Sequence, residues 1–249
     1  MLGVGLRAVV KPAATRWEAI AAVPAFALLL TVPLHGLGGD QWIADALYRL
    51  EGGRWALRDA WWTSTLLHVW ARHASILAWV GACALLAAGI RGRMPRERQR
   101  ALAYLVVAVA GSALLVGVLK QVSGVDCPWA LVAYGGRHAP ESWFAGDGAC
   151  FPAGHAAAGY AWVASYFALL RIAPRWRHRG LCAGLLAGTI FGITQQLRGA
   201  HFLSHDVWAL ALCWVWSATL ARVWLWRVSA ARAPEADIGS FAMTARRRP

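Results

Sequence analysis

From Ala101 to Leu119 the chain runs without a charged residue and then stops on Lys120. A helix needs about 20 apolar residues to cross the hydrocarbon core of a bilayer. Inside that core every backbone N–H and C=O must be satisfied within the segment, which leaves the α-helix as the natural conformation for such a run. Comparable stretches give a set of six spans at 19–37, 74–90, 101–119, 155–173, 181–199 and 206–226. The span at 74–90 is short, and Trp61 to His73 extends it. Composition agrees: 59% of the 249 residues are hydrophobic and 15% charged, against roughly 25% charged in an ordinary soluble domain. The expected fold is all-α, an integral membrane six-helix bundle. Residues 1–18 precede it, residues 19–226 form it, and residues 227–249 mix Ala, Pro, Glu, Ser and Arg without periodicity, the composition of a disordered tail.

The net charge of +13 resembles a nucleic-acid signal until the charges are placed along the chain. Arg91, Arg93, Arg96, Arg98 and Arg100 share one short loop, and Arg171, Arg175, Arg177 and Arg179 another. With Arg7, Lys11, Arg16 and six arginines from Arg222 to Arg248, these loops hold eighteen of the 25 cations on one side. The other side holds eight of the twelve acids: Asp40, Asp45, Glu51, Asp59, Asp126, Glu141, Asp147 and Asp206. Short Lys/Arg-rich loops stay cytoplasmic, so both termini are expected there. The charge reports topology and contact with anionic inner-leaflet lipid, not nucleic acid. No small-x-small site follows the first apolar stretch convincingly, so it reads as an uncleaved span. Residues 38–73 carry Trp42, Trp55, Trp61, Trp62 and Trp70 among charges and read as short surface helices, because tryptophan favours the headgroup zone.

Three segments place histidine, lysine or arginine where an apolar run meets water on the acidic side: Lys120–Trp129 (KQVSGVDCPW), Cys150–Gly159 (CFPAGHAAAG) and Gln195–Trp208 (QQLRGAHFLSHDVW). Ionisable groups are costly in hydrocarbon, so such a cluster is a functional-site hypothesis by default. Transfer of a phosphoryl group without metal needs cations and N–H groups around its oxygens, a nucleophile in line, and an acid for the leaving oxygen. The segments hold candidates for each. Pro152 and Gly154 sit at the start of an expected helix, whose free N–H groups suit an anion.

Together the segments resemble the signature motifs of the type 2 phosphatidic acid phosphatase superfamily, bacterial membrane branch. The first, K-x6-R-P, is met by Lys120 and Pro128, with Cys127 in the arginine column. The second, P-S-G-H, is met by Pro152, Gly154 and His155, with Ala153 in the serine column. The third, S-R-x5-H-x3-D, aligns His201 with the nucleophile; Gln195 takes the arginine column and His205 the aspartate column, with Asp206 one residue later. On a helix, i+4 returns to the same face and i+5 does not, so His205 and Asp206 both stand as groups that orient His201. The resemblance implies that His201 attacks phosphorus to give a phosphohistidine and that His155 protonates the leaving group. It also implies that Lys120, the arginine-column residue Gln195 and the main chain at Ala153 and Gly154 face phosphate oxygens. Arg198, three residues after Gln195, and Arg137, after Tyr134-Gly135-Gly136, are the nearby candidates for the missing cations; an arginine snorkelling to headgroups and a plain solvated loop arginine are the other readings of the two. It implies a hydrolase of lipid phosphomonoesters or diphosphates such as a polyprenyl diphosphate, at the periplasmic face of the inner membrane, with no cofactor and no metal. Its partners are then that substrate and the surrounding membrane lipids. A lipid phosphotransferase and a non-catalytic lipid-phosphate binder are the other uses open to the same site.

Cys127 and Cys150 each flank a motif expected at one pocket, on the side where an oxidising compartment permits a disulfide. Closing that loop is worth about 3 kcal/mol by chain entropy. Cys83, Cys182 and Cys213 fall inside spans and read as inert small hydrophobes.

Overall fold

A computed structural model describes residue 13 and residues 16–139 and 147–227. The basic residues Arg7 and Lys11, the acid Glu141 and the tail from 228 lie outside the described residues. Those described fold into eight α-helices with no sheet: α1 Trp17–Thr31, α2 Gly39–Leu50, α3 Ala71–Arg91, α4 Arg96–Val122, α5 Gly154–Tyr160, α6 Ala164–Ile172, α7 Arg177–Leu197 and α8 Leu203–Ala221.

Among the described residues, five helical stretches are long and apolar enough to cross a membrane: Trp17–Gly36, Trp62–Arg91, Arg96–Val122, Pro174–Leu197 and Leu203–Trp226. The sixth expected span, 155–173, is α5 and α6, joined by a 3-10 turn at Ala161–Val163. The second span is longer than its apolar core, because a wide π-helical stretch, Trp62–Trp70, runs straight into α3. The segment 38–73 is therefore half surface helix (α2) and half the top of a span. The outward faces stay apolar, with Phe26, Leu29, Leu77, Leu114, Leu186 and Ile193 exposed. Continuous apolar surface of this kind is stable in lipid and not in water.

The inner faces are built largely from small residues. Ala101, Ala108, Ala161, Ala164, Ala168, Ala218 and Ala221 meet around Tyr104 and Phe167 in one cluster, and Val116, Ala153, Ala156, Ala157, Tyr160, Ala209 and Cys213 in a second. Lipid tails are as apolar as leucine, so helices in a bilayer associate through close approach and hydrogen bonds. The seam between α5 and α7 shows the first device. Gly180, Gly184, Gly188 and Gly192 recur every four residues on one face of α7. A Cβ on Gly188 would sit 2.1 Å from the Tyr160 ring, and one on Gly159 of α5 would sit 2.2 Å from the Gly188 nitrogen. Hydrogen bonds between helices, buried or partly buried, supply the second device. Tyr104 Oη donates to the Ser217 carbonyl (2.9 Å), Trp162 Nε1 to Ser75 Oγ (2.9 Å), Ser75 Oγ to the Ala158 carbonyl (2.8 Å), and Trp208 Nε1 to Thr31 Oγ1 (3.0 Å).

Chain alternation sorts the helix ends into two sets. The C-terminus of α3, the N-terminus of α4, the α6–α7 turn and the end of α8 carry the arginine-rich loops. The C-termini of α4 and α7 and the N-termini of α5 and α8 lie at the other end, under a cap made by α2 and the loops after it. Tyr48, Trp55 and Tyr134 pack edge to face there, with centroids 5.3 to 5.6 Å apart, alongside Ala44, Leu131 and Phe202. Tyr134 Oη donates to Asp45 Oδ1 at 2.8 Å.

Candidate active site

The three motif segments converge because their loops are laced together. Cys127 is joined to Cys150 across a Cα–Cα distance of 5.2 Å. The Cys150 N–H donates to the Val125 carbonyl (2.9 Å), the Trp129 N–H to the Gly199 carbonyl (2.9 Å), and the Ala153 N–H to the His205 carbonyl (3.2 Å). A fifth tie comes from the cap. Asp40 of α2 is buried and accepts the Ser204 N–H at 3.0 Å, satisfying an orphan donor in the first turn of α8. Burial raises the Asp40 carboxyl above the usual range, and the Ser204 bonds pull it back.

His201 lies in the turn between α7 and α8, 4% exposed, and His205 sits in the first turn of α8, 2% exposed. Their ring centroids are 5.7 Å apart and the rings meet edge to face. The Cys150 main chain reaches both. Burial pushes the His201 imidazole well below the ordinary histidine range, and His205, Lys120 and His155 act in the same direction. His201 is neutral at pH 7, with a free lone pair, which is what nucleophilic attack requires.

Asp206 is buried as well but faces away from His201. Its Oδ2 accepts from Gln196 Nε2 at 2.6 Å, and its carboxylate fills the space where a Cβ on Gly192 would lie. Of the two orienting candidates, His205 is beside His201 and Asp206 is turned into α7.

His155 opens α5. The Gly154 and His155 N–H groups precede the first intrahelical bond, from Ala157 to Ala153. The Ala153 N–H, expected to meet phosphate, is instead donated to His205. Lys120 at the end of α4 lies over this turn, its Nζ 3.9 Å from where a Gly154 Cβ would be, and it acts electrostatically on His68, His155, His201 and His205. Arg198 is 9% exposed; its Nε donates to the Arg58 carbonyl (2.9 Å) and its Nη1 to Gln195 Oε1 (3.2 Å). Arg137 is exposed in the turn after Tyr134, and its side chain has no hydrogen bond or ion pair with any described residue.

Two residues here carry no motif. His68, on the π-helical stretch, stacks on His155 with centroids 3.8 Å apart and planes at 24°, and its Nδ1 is 3.0 Å from Gln195 Nε2. Arg72, one turn further, acts on both histidines. Their four-residue spacing just ahead of an apolar run was the available signal, since it puts both on one helix face. The ring nitrogens His155 Nε2, His201 Nδ1 and His205 Nδ1 are buried without a hydrogen-bond partner among the described residues. Lys120, Arg72 and Arg198 all act on both His68 and His155, and all three are cationic. Such a cluster offers positive charge, N–H donors and imidazoles to an anion.

Comparison with known families gives one match, the PAP2 superfamily, over residues 101–229, slightly more than half of the chain. No curated protein and no solved structure matches.

Proposed function

The chain belongs to the PAP2 superfamily, whose members are generally phosphatases, and from that premise we propose that it hydrolyses a lipid phosphomonoester or diphosphate at the membrane surface. The observation that carries this reading is a neutral, buried His201 among histidines whose charged neighbours are Lys120, Arg72 and Arg198. Lys120, Arg198 and the Gly154 and His155 amides hold the phosphate oxygens. His201 attacks phosphorus, giving a phosphohistidine, while His155 protonates the departing oxygen. In the second step His155 takes a proton from water as the water oxygen bonds phosphorus and the P–N bond breaks. His205 lies alongside to orient His201. The basic loops face the cytoplasm under the positive-inside tendency, so the site opens to the periplasmic face of an inner membrane.

The substrate's anchor sets the surroundings. A lipid phosphate arrives with its head at the interface, and Lys120 closes the apolar run of α4. Phosphate release by the detergent-purified protein from a panel of lipid phosphates and diphosphates, in EDTA and beside His201→Ala, tests the reading. The expected result is release from at least one lipid, reduced about 10³-fold or more by the substitution. Release that the substitution leaves intact removes His201 from the role, and transfer of phosphate to a second lipid in place of water establishes a phosphotransferase.

A further inference from the structure

His68 and His155 are stacked imidazoles 3.8 Å apart, and two such rings do not both carry a proton at ordinary cost, because like charges at that distance repel strongly. Which ring takes the proton is decided on the far side of His68. Arginine has donors only, so the amide atom of Gln195 facing Arg198 Nη1 at 3.2 Å is the oxygen. The other amide atom, the Nε2 donor, then faces His68 Nδ1 at 3.0 Å. His68 Nδ1 is thereby an acceptor, and the ring's own proton is on Nε2. A second proton on His68 would set an N–H against an N–H. No described donor faces His155 Nε2, which is buried without a partner among the described residues and has an acceptor only when a phosphate ester oxygen enters.

We propose that His68 is a positioning residue for His155: the Arg198–Gln195 chain holds it as the neutral Nε2–H tautomer, so that the proton taken up by the stacked pair resides on His155. The inference rests on the reading of His155 as the general acid. In the transfer step the bond from phosphorus to the leaving oxygen breaks, that oxygen takes the proton from His155, and the P–N bond forms at His201. Water returns the proton to His155 in the second step, while His68 keeps its own throughout. The charges bearing on the pair are Arg198 after α7, Arg72 from α3 and Lys120 from α4, with His68 itself acting on His155 ahead of those cations and His201 coupled to His155. All three cations act on both rings, so they do not select between them; Gln195 does.

The test pairs nitrogen-15 NMR of the histidine rings with kinetics, on the full chain in detergent. The wild-type His68 ring is expected to show a protonated Nε2 and a bare Nδ1 at pH 7, and on acidification His155 protonates before His68. Gln195→Glu turns the donor into an acceptor and invites a second proton onto His68. Its spectrum then shows a doubly protonated His68, kcat falls about tenfold with KM little changed, and the basic limb of the rate profile moves down by about one pH unit. Gln195→Leu mixes the tautomers of His68 without that shift. A wild-type His68 that carries its proton on Nδ1, or that charges before His155, overturns the inference whatever the activity. A Gln195→Glu enzyme with a wild-type profile, beside an inactive His201→Ala, overturns it while leaving the phosphatase reading in place. No phosphate release by the wild type sinks that reading instead, and the NMR titration then judges the inference alone.

Discussion

The two ends of the helical bundle are built from the same residue types and behave in opposite ways. At the basic end, Arg171 pairs with Glu97 (3.0 Å) on a surface where the two side chains are 29% and 56% exposed. Arg179 and Arg222 lie over the rings of Trp176 and Trp17, at 4.0 and 4.4 Å. Each charge there has solvent, headgroups or a neighbour to answer it. At the other end Arg198, Lys120 and the histidines are drawn inward, and the only carboxylate on α8, Asp206, is turned away toward Gln196. The contrast teaches that a cation's function follows from what faces it. Exposed, it pairs with a carboxylate or lies over an aromatic ring; withdrawn, Arg198 is held by the Arg58 carbonyl and Gln195, with Asp59 acting on it.

The comparison can be broken in four places, beginning with the loops that draw the site inward. Replacing Cys127 and Cys150 by serine is expected to lower stability by about 3 kcal/mol and to reduce activity through loosening of the loop between the first two motifs. Differential scanning fluorimetry in detergent measures this, and an unchanged melting temperature would mean that the other ties suffice. Next is the cation at the end of α4: Lys120→Met should lower kcat/KM about 10²-fold, with the melting temperature kept or raised, because a buried charge is removed. If activity survives, Lys120 belongs with the basic-end arginines.

A smaller effect concerns pH. His201 is held well below the ordinary histidine range by burial, whereas in the unfolded chain it takes a proton near pH 6.5. Below that pH the unfolded state binds more protons than the folded one, so stability falls on acidification, by at most about 1.4 kcal/mol per pH unit for one group. Above pH 7 both states are neutral and the contribution is flat. His201→Gln should therefore lose stability less steeply than wild type between pH 6 and 5, measured by denaturation at each pH. A parallel fall in both proteins would show that His201 titrates normally. The smallest change is expected at the basic end, where Arg171→Ala should cost less than about 0.5 kcal/mol and leave phosphate release alone. A large loss there would erase the distinction between the ends.

Much of this was legible in the sequence because it depends on local pattern. Apolar runs fix spans, since the bilayer imposes length and internal hydrogen bonding on any segment that crosses it. Spacing within Lys120–Pro128, Pro152–His155 and Gln195–His205 carried the family, and the profile match over 101–229 agrees. The break between α5 and α6 was hidden, because alanine-rich sequence suits a 3-10 turn and an α-helix alike. The extension of α3 upward to Trp62 was foreshadowed, yet its consequence, His68 stacked on His155, was not, since the two lie 87 residues apart in sequence and no local pattern links them.

The sequence by itself determined the helical membrane class, most of the long apolar helices and the family, because each follows from composition, period or spacing along the chain. Tertiary structure alone decided which residues meet. The glycine face of α7 lets α5 approach, Asp40 of α2 caps the first turn of α8, Asp206 turns into α7, and His68, held by Gln195, stacks on His155. Those outcomes depend on backbone separations of a few ångströms and on which donor finds which acceptor, and such distances exist only once the helices are packed.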